Sequence, residues 1–299
     1  MTDTPAPRAD SGDSPAGLGF AISAYVLWGF LPLYMKLLSH IPPAEVVAHR
    51  VVWSVPIAGV ILVFLGRTSD LRTALTTPRT LAMGCVTAAL ISVNWAIYVW
   101  AITSGHALEA ALGYYINPLF SVLLGAVLLK ERLAPLQWGA IALAAAAVLV
   151  LTVQGGKVPY VALSLTVSWG FYAFFKKWLP VGPNQGFMLE VLILLLPALG
   201  YWAYLTGTGA THFGGTTQDT LLLLGCGAVT AIPLMLYANG AKRLRLTTIA
   251  ILQYIAPTMI FLVAVFLFDE PFGTARAIAF PMIWTSVALY LLSVFRTRR

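Results

Sequence analysis

His49-Arg50 lies about seven residues into an apolar run spanning 44–65. At 1.5 Å per residue of helix, the guanidinium sits roughly 10 Å below the helix end. A charge at that depth of an apolar segment is expensive and is first read as a functional group. Two readings stand for it. The fork of Arg50 can hold a carboxylate bidentately, either of a solute or of Glu109. Alternatively it snorkels outward and only pins a helix end. In both cases it faces protein or water. His49, Glu109 and Glu190 are the groups that could carry a coupled proton. Glu109 opens its run, where the helix dipole also favours an acid, and Glu190 lies one turn into its own. None stands at the middle of a run, so a buried acidic coupling site is not evident.

Uncharged groups gather around two prolines. Asn117-Pro118 and Pro257 interrupt apolar runs, and a proline removes one backbone bond and crowds the preceding turn. Carbonyls freed in this way are tolerated where protein or a cavity satisfies them. Trp28, Asn94, Trp95, Tyr98, Tyr114, Tyr115, Tyr237, Asn239, Gln253 and Tyr254 supply aromatic faces and amides near these points. Such a lining suits an amphipathic or aromatic organic solute better than a bare ion. Kinked packing is the simpler reading of the prolines, and Tyr114 and Trp100 also suit interfacial anchors.

Other chemistries lack their residues. There is no His-Glu-x-x-His, no Gly-x-Ser-x-Gly and no phosphate-binding Gly-Lys-Ser/Thr loop. No catalytic residue, metal site or cofactor is expected, and uphill transport would need an ion gradient, exchange or a partner protein. Cys85 and Cys226 lie in separate runs without metal-ligand spacing. An intramembrane enzyme acting on lipid-linked groups would need a clustered nucleophile or acid–base set that these residues do not make.

The elements that must position these groups are set by composition. Of 299 residues, 59% are hydrophobic and 10% charged, against about 25% charged in an average soluble domain. Apolar runs at 17–38, 44–65, 80–103, 108–129, 134–153, 158–178, 186–205, 220–241, 247–268 and 276–295 are each long enough to cross a hydrocarbon core of about 30 Å. They must be helices, because in lipid the backbone has to satisfy itself. Residues 1–16, rich in Pro, Asp, Ser and Thr, are expected to form a disordered cytoplasmic tail, and 296–299 a second short tail. With the N-terminus inside, 14 of the 18 Lys and Arg fall on inner segments and only Lys36, Lys157 and Arg276 on outer edges. That bias places both termini in the cytoplasm. The net charge of +7 reflects these membrane edges; no nucleic-acid partner is expected.

The chain also repeats itself. Tyr115-Ile116-Asn117-Pro118 returns as Tyr254-Ile255-Ala256-Pro257, and Glu131 as Glu270, at an offset of 139. Trp28-Gly29-Phe30 returns as Trp169-Gly170-Phe171, and Lys36 as Lys177, at an offset of 141. Residues 17–153 and 158–295 are therefore read as two copies of five spans each. An odd number of spans inverts the second copy. Inverted repeats are the architecture of many secondary transporters, with the binding site where the copies meet.

These motifs resemble the EamA family of the drug/metabolite transporter superfamily. Within it, the RarD subfamily is the nearer likeness. The residues that carry it are Trp28-Gly29-Phe30-Leu31-Pro32-Leu33-Tyr34, Ala48-His49-Arg50, Glu109 to Pro118, Pro135-Leu136-Gln137-Trp138 and Leu252 to Thr258. The resemblance implies an all-α protein of ten transmembrane helices in the plasma (inner) membrane, with a central cavity between two inverted repeats. It further implies a secondary transporter, and an exporter, of small organic metabolites or amphipathic compounds such as amino acids or drugs. An uncoupled facilitator or exchanger is the alternative. The expected partners are a small-molecule substrate and the bilayer, and the oligomeric state stays open.

Overall fold

The computed structural model describes residues 13–296 apart from 65, 67 and 242. Among the described residues every regular element is a helix. In chain order they are α1 (Pro15–Leu37), α2 (Pro43–Phe64), α3 (Ser69–Thr76), α4 (Pro78–Thr103), α5 (Ala107–Leu128) and α6 (Pro135–Gly155). The second half continues with α7 (Tyr160–Trp178), α8 (Pro183–Gly207), α9 (Thr217–Ala241), α10 (Leu246–Leu252), α11 (Ile255–Phe266) and α12 (Thr274–Arg296). Five of them start on proline, where the missing N–H is one that the first turn leaves unpaired anyway.

Nine segments are long and apolar enough to cross a membrane among the described residues, taking Thr248–Phe266 as one span across the junction of α10 and α11. The remaining long helix, α7, spans 19 residues, about 28 Å of rise, but is less apolar. Its polar groups are used inside the bundle. Thr166 donates to the Gly113 carbonyl at 3.0 Å, and the Ser168 hydroxyl accepts from Asn94 Nδ2 at 2.9 Å.

Three details differ from the expected elements. The run 247–268 is divided at Gln253–Tyr254, where the Tyr254 N–H turns to the Ile251 carbonyl at 3.2 Å. Its counterpart, α5, runs on through Pro118 without a break. Helix α3 is an addition, eight residues seated on α4 and α8 with Ala74 buried. The expected tail is also shorter on its described side, because Pro15 and Ala16 are helical and Ser14 caps α1 by accepting from the Gly17 N–H. Residues 1–12 and 297–299 lie outside the described residues, while Arg296 closes α12. Asp13 fastens the start of α1 to the connection between α9 and α10. Its carboxylate accepts from the Arg245 backbone N–H and Nη2, each at 2.9 Å, and from Thr248 Oγ1 at 2.6 Å.

The helices pack as a bundle. α1 lies against α9 and α11, and α7 against α4 and α5. α2 touches α8 and α9, α8 also touches α4, α5 touches α11, and α6 pairs with α12. Glycine allows the closest approaches. A Cβ on Gly227 would run into the backbone of Trp53, so α2 and α9 meet almost main chain to main chain. Large apolar side chains such as Phe64, Val153, Leu196 and Phe266 remain exposed on the outside, as a hydrocarbon surround requires.

Polar ties close one end of the bundle. Glu270, just beyond α11, accepts from the Ala107 and Leu108 N–H groups at 2.6 and 2.9 Å, satisfying two donors that the first turn of α5 cannot pair internally. Buried Glu45 of α2 takes the His212 N–H and Nδ1, both at 2.7 Å, and so holds down the loop before α9.

Candidate functional site

Between α1, α2, α4, α5, α7, α9 and the α10–α11 junction lies a cavity of about 150 Å³. Each helix presents to it the residues that recur on one face. From α1 come Tyr25, Trp28 and Leu31, each three residues from the next, as neighbours on one helical face are. α4 supplies Asn94, Trp95 and Tyr98, and α5 supplies Tyr114 and Asn117 with the same three-residue step. Trp169 enters from α7, Thr230, Leu234 and Tyr237 from α9, and Gln253, Ala256, Pro257 and Ile260 from the junction and α11.

Among the described residues, Arg50 is the one ionised side chain on this wall, and it is 3% exposed. Its Nε donates to Thr230 Oγ1 at 2.9 Å, and that hydroxyl donates in turn to the Cys226 carbonyl at 2.7 Å. The guanidinium lies over the Trp95 ring at 4.9 Å, a favourable cation–π placement. Nη1 is buried with no partner among the described residues. The Tyr98 hydroxyl and Asn117 Oδ1 are likewise buried and unpartnered. Asn94 is fixed, with Nδ2 donating to Ser168 Oγ at 2.9 Å and the Leu165 carbonyl at 3.2 Å. Tyr25 and Tyr237 each stand within 6 Å of the Trp28 ring, while Trp169 meets Tyr114 edge-on at 6.3 Å.

Of the residues singled out from sequence, Trp28, Arg50, Asn94, Trp95, Tyr98, Asn117, Tyr237, Gln253 and Pro257 come together on this wall, and so does Tyr114. The others lie elsewhere. His49 stacks on Phe213 at 5.1 Å, meets Trp202 at 4.7 Å, and accepts from Trp53 Nε1 at 3.0 Å. It belongs to an aromatic box beneath the 211–213 loop. Tyr115 turns away to Thr258, at 2.7 Å between hydroxyls, and stacks on Tyr254 at 6.1 Å. Pro118 is buried within α5 off the cavity. Glu109 is absent from the wall, and one of its oxygens is buried without a partner among the described residues. Glu190 is bound by Lys176 Nζ at 2.6 Å and by the Tyr172 hydroxyl at 3.3 Å. Asn239 bonds its own helix at the Met235 carbonyl.

Sequence reasoning missed Tyr25, Trp169 and Thr230 as wall residues. Trp169 had a signal, since it is the repeat partner of Trp28. Thr230 carried none, because a lone threonine in an apolar helix ordinarily bonds its own backbone.

The EamA-like transporter family profile matches residues 15–153. An uncharacterized transporter of Vibrio cholerae serotype O1 is 41% identical over 94% of this chain and 93% of its own length. This chain belongs to the EamA family. Within that family it is also similar to Protein RarD of Escherichia coli K12, at 36% identity over 97% of this chain and 98% of the relative. RarD proteins recur among the relatives, which places the chain with the RarD subfamily. A solved crystal structure shares the fold across 96% of this chain and all of its own, with a TM-score of 0.62 at 23% identity. As an EamA member with several apolar spanning helices, the chain is a multi-pass membrane transporter of the drug/metabolite type.

Proposed function

We propose that this EamA protein is a secondary transporter, and an exporter, of small organic solutes such as metabolites, amino acids or amphipathic drugs. It works by alternating access in the plasma membrane with both termini cytoplasmic, and α7 serves as the tenth span. The observation that carries this reading is the cavity itself. It is walled by helices from both halves of the chain and holds a buried, incompletely paired arginine.

The packing supports an inverted repeat. If α1, α2, α4, α5 and α6 correspond to α7, α8, α9, α10–α11 and α12, the contacts of α1 with α9 and α11 become those of α7 with α4 and α5. The α2–α9 contact becomes α8–α4, and α2–α8, α5–α11 and α6–α12 map onto themselves. A pseudo-two-fold relation of this kind lets the halves exchange conformations and expose one site to either side.

A facilitator or exchanger without ion coupling has one specific observation in its favour. No carboxylate stands among the described residues of the wall, and Glu45, Glu190 and Glu270 are all engaged elsewhere.

Solute flux into proteoliposomes of the purified protein tests both readings, with amino acids and amphipathic compounds screened with and without a proton gradient. Saturable flux that a proton gradient accelerates supports the coupled exporter. Saturable flux indifferent to the gradient supports the facilitator, and no flux for any solute class removes the transport reading.

A further inference from the structure

The cavity specifies more about its occupant than a small organic solute. Arg50 is always charged, with five N–H donors, yet one hydrogen bond, from Nε to Thr230, is all its guanidinium makes among the described residues. Three buried carboxylates are committed elsewhere: Glu45 to the 211–212 loop, Glu190 to Lys176 and Glu270 to the start of α5. Glu109 makes no ion pair with it. A buried ion without a partner is strongly unfavourable, and the Trp95 face offsets only part of that. Nη1, buried and unpartnered on a residue that lines the cavity, is the donor left for the missing counter-charge.

The geometry points to a small aryl monocarboxylate as the solute that this cavity binds, with its carboxylate on Arg50. The inference rests on the transporter reading for what the binding achieves. A carboxylate matches the guanidinium edge bidentately. One arginine balances one charge, and the unpartnered Asn117 Oδ1, itself an acceptor, would repel a second anionic oxygen. A cation meets Arg50 with no acid to hold it. A zwitterion gains the carboxylate contact, but its ammonium meets only neutral acceptors and ring faces, with no acid on the wall to balance the second charge. The body of the solute is set by Trp28, Trp95, Tyr98, Trp169 and Tyr237, whose faces favour a planar ring. The volume, about 150 Å³, is that of a protein cavity known to admit benzene.

Binding to the full-length protein in lipid nanodiscs, measured by calorimetric titration, separates the charge types on one body. The probes are benzoate, its neutral isostere benzamide, the cation benzylamine and the zwitterion phenylalanine. Benzoate is expected to bind about tenfold or more tighter than benzamide, as a charge-assisted hydrogen bond implies, and benzylamine not at all. Arg50→Gln should bring the benzoate-to-benzamide ratio to about one while benzamide still binds, which shows that the variant is folded. Equal binding of benzoate and benzamide, tighter binding of phenylalanine, no binding of any probe, or a ratio that survives Arg50→Gln each overturns the inference. Benzoate flux in proteoliposomes keeps the two readings apart. Anion-selective binding without flux retains the site and removes the transport function. Flux of other solutes without anion preference does the reverse.

Discussion

Glu270 holds the first two backbone donors of α5, whereas Glu131, its counterpart 139 positions earlier, lies exposed over Gly125. Their local backbones agree. Each follows a residue with positive φ, Asp269 at 51° and Lys130 at 56°, and each donates its N–H to a carbonyl six residues back, Ala264 at 3.0 Å and Gly125 at 3.2 Å. The two acids thus have one conformation and two environments. On the proposed reading of two inverted repeats, that asymmetry would distinguish an end of the bundle that is tied shut from one that is not.

Stability and flux should therefore respond differently to the two acids. Glu270→Ala strands two buried N–H groups and is expected to cost about 1–3 kcal/mol in this state. Glu131→Ala removes an exposed side chain and should cost less than about 0.5 kcal/mol. Flux through a complete cycle needs both states, so both variants are expected to slow it by similar factors. Thermal denaturation beside proteoliposome flux checks this. Equal losses of stability, or flux unaffected by Glu131→Ala, would remove the alternating role.

The spans were legible because lipid leaves a continuous apolar run only one way to satisfy its backbone, and most helices begin and end within three residues of the expected limits. The cavity was legible in type more than in register. His49 and Arg50 are adjacent, and one residue turns a helix by about 100°, so Arg50 faces the cavity while His49 faces Phe213. The same rotation sends Tyr114 to the wall and Tyr115 to Thr258. Which of two neighbouring polar residues points inward depends on where the partner helices lie, and no single run encodes that. The unequal fates of Pro118 and Pro257 were hidden for a related reason: the repeats share motifs, but a single conformation does not treat them alike.

Thr230 orients the arginine. Thr230→Val keeps the side-chain volume and removes the Oγ1 acceptor 2.9 Å from Nε, freeing the fork to rotate over Trp95. Benzoate affinity should fall by about three- to tenfold, the measure of one net hydrogen bond, while benzamide affinity changes little. The same calorimetric titration reads both. A parallel loss for the two probes would mean that the valine had deformed the wall instead.

Gly29 and Gly170 occupy equivalent places in the repeat and face unequal neighbours. A Cβ at Gly29 meets the Met259 side chain, and one at Gly170 meets the Phe120 ring. Met259 Cβ, 2.6 Å away, is fixed to the backbone of α11 and cannot turn aside with the rest of its side chain, and a packed aromatic ring has little room to yield. Gly29→Ala and Gly170→Ala are therefore each expected to destabilise by about 1–3 kcal/mol, as overpacking does. Midpoints of thermal unfolding in the same detergent check both. A variant that unfolds together with the wild type would show that its pair of helices can part without cost.

Asp13 makes the connection between α9 and α10 respond to pH only under strong acid. Hydrogen bonds from the Arg245 side chain, then from Thr248 and the Arg245 N–H, hold its carboxyl well below the usual carboxylate range. A folded-state value depressed in this way contributes stability above the unfolded value, about 3.9, and loses it as pH falls through the lower folded value. Protection of the Arg245 amide against hydrogen exchange, compared with Asp13→Asn at each pH, should exceed the variant's by a constant factor from about pH 5 to 8. The two proteins should converge only below the ordinary carboxylate range, where Asp13 is neutral in the wild type as well. Convergence already near neutral pH would mean that the clamp is open in solution, leaving Ser14 and the start of α1 tied to this connection by the Ser14 N–H to Arg243 carbonyl bond at 3.2 Å.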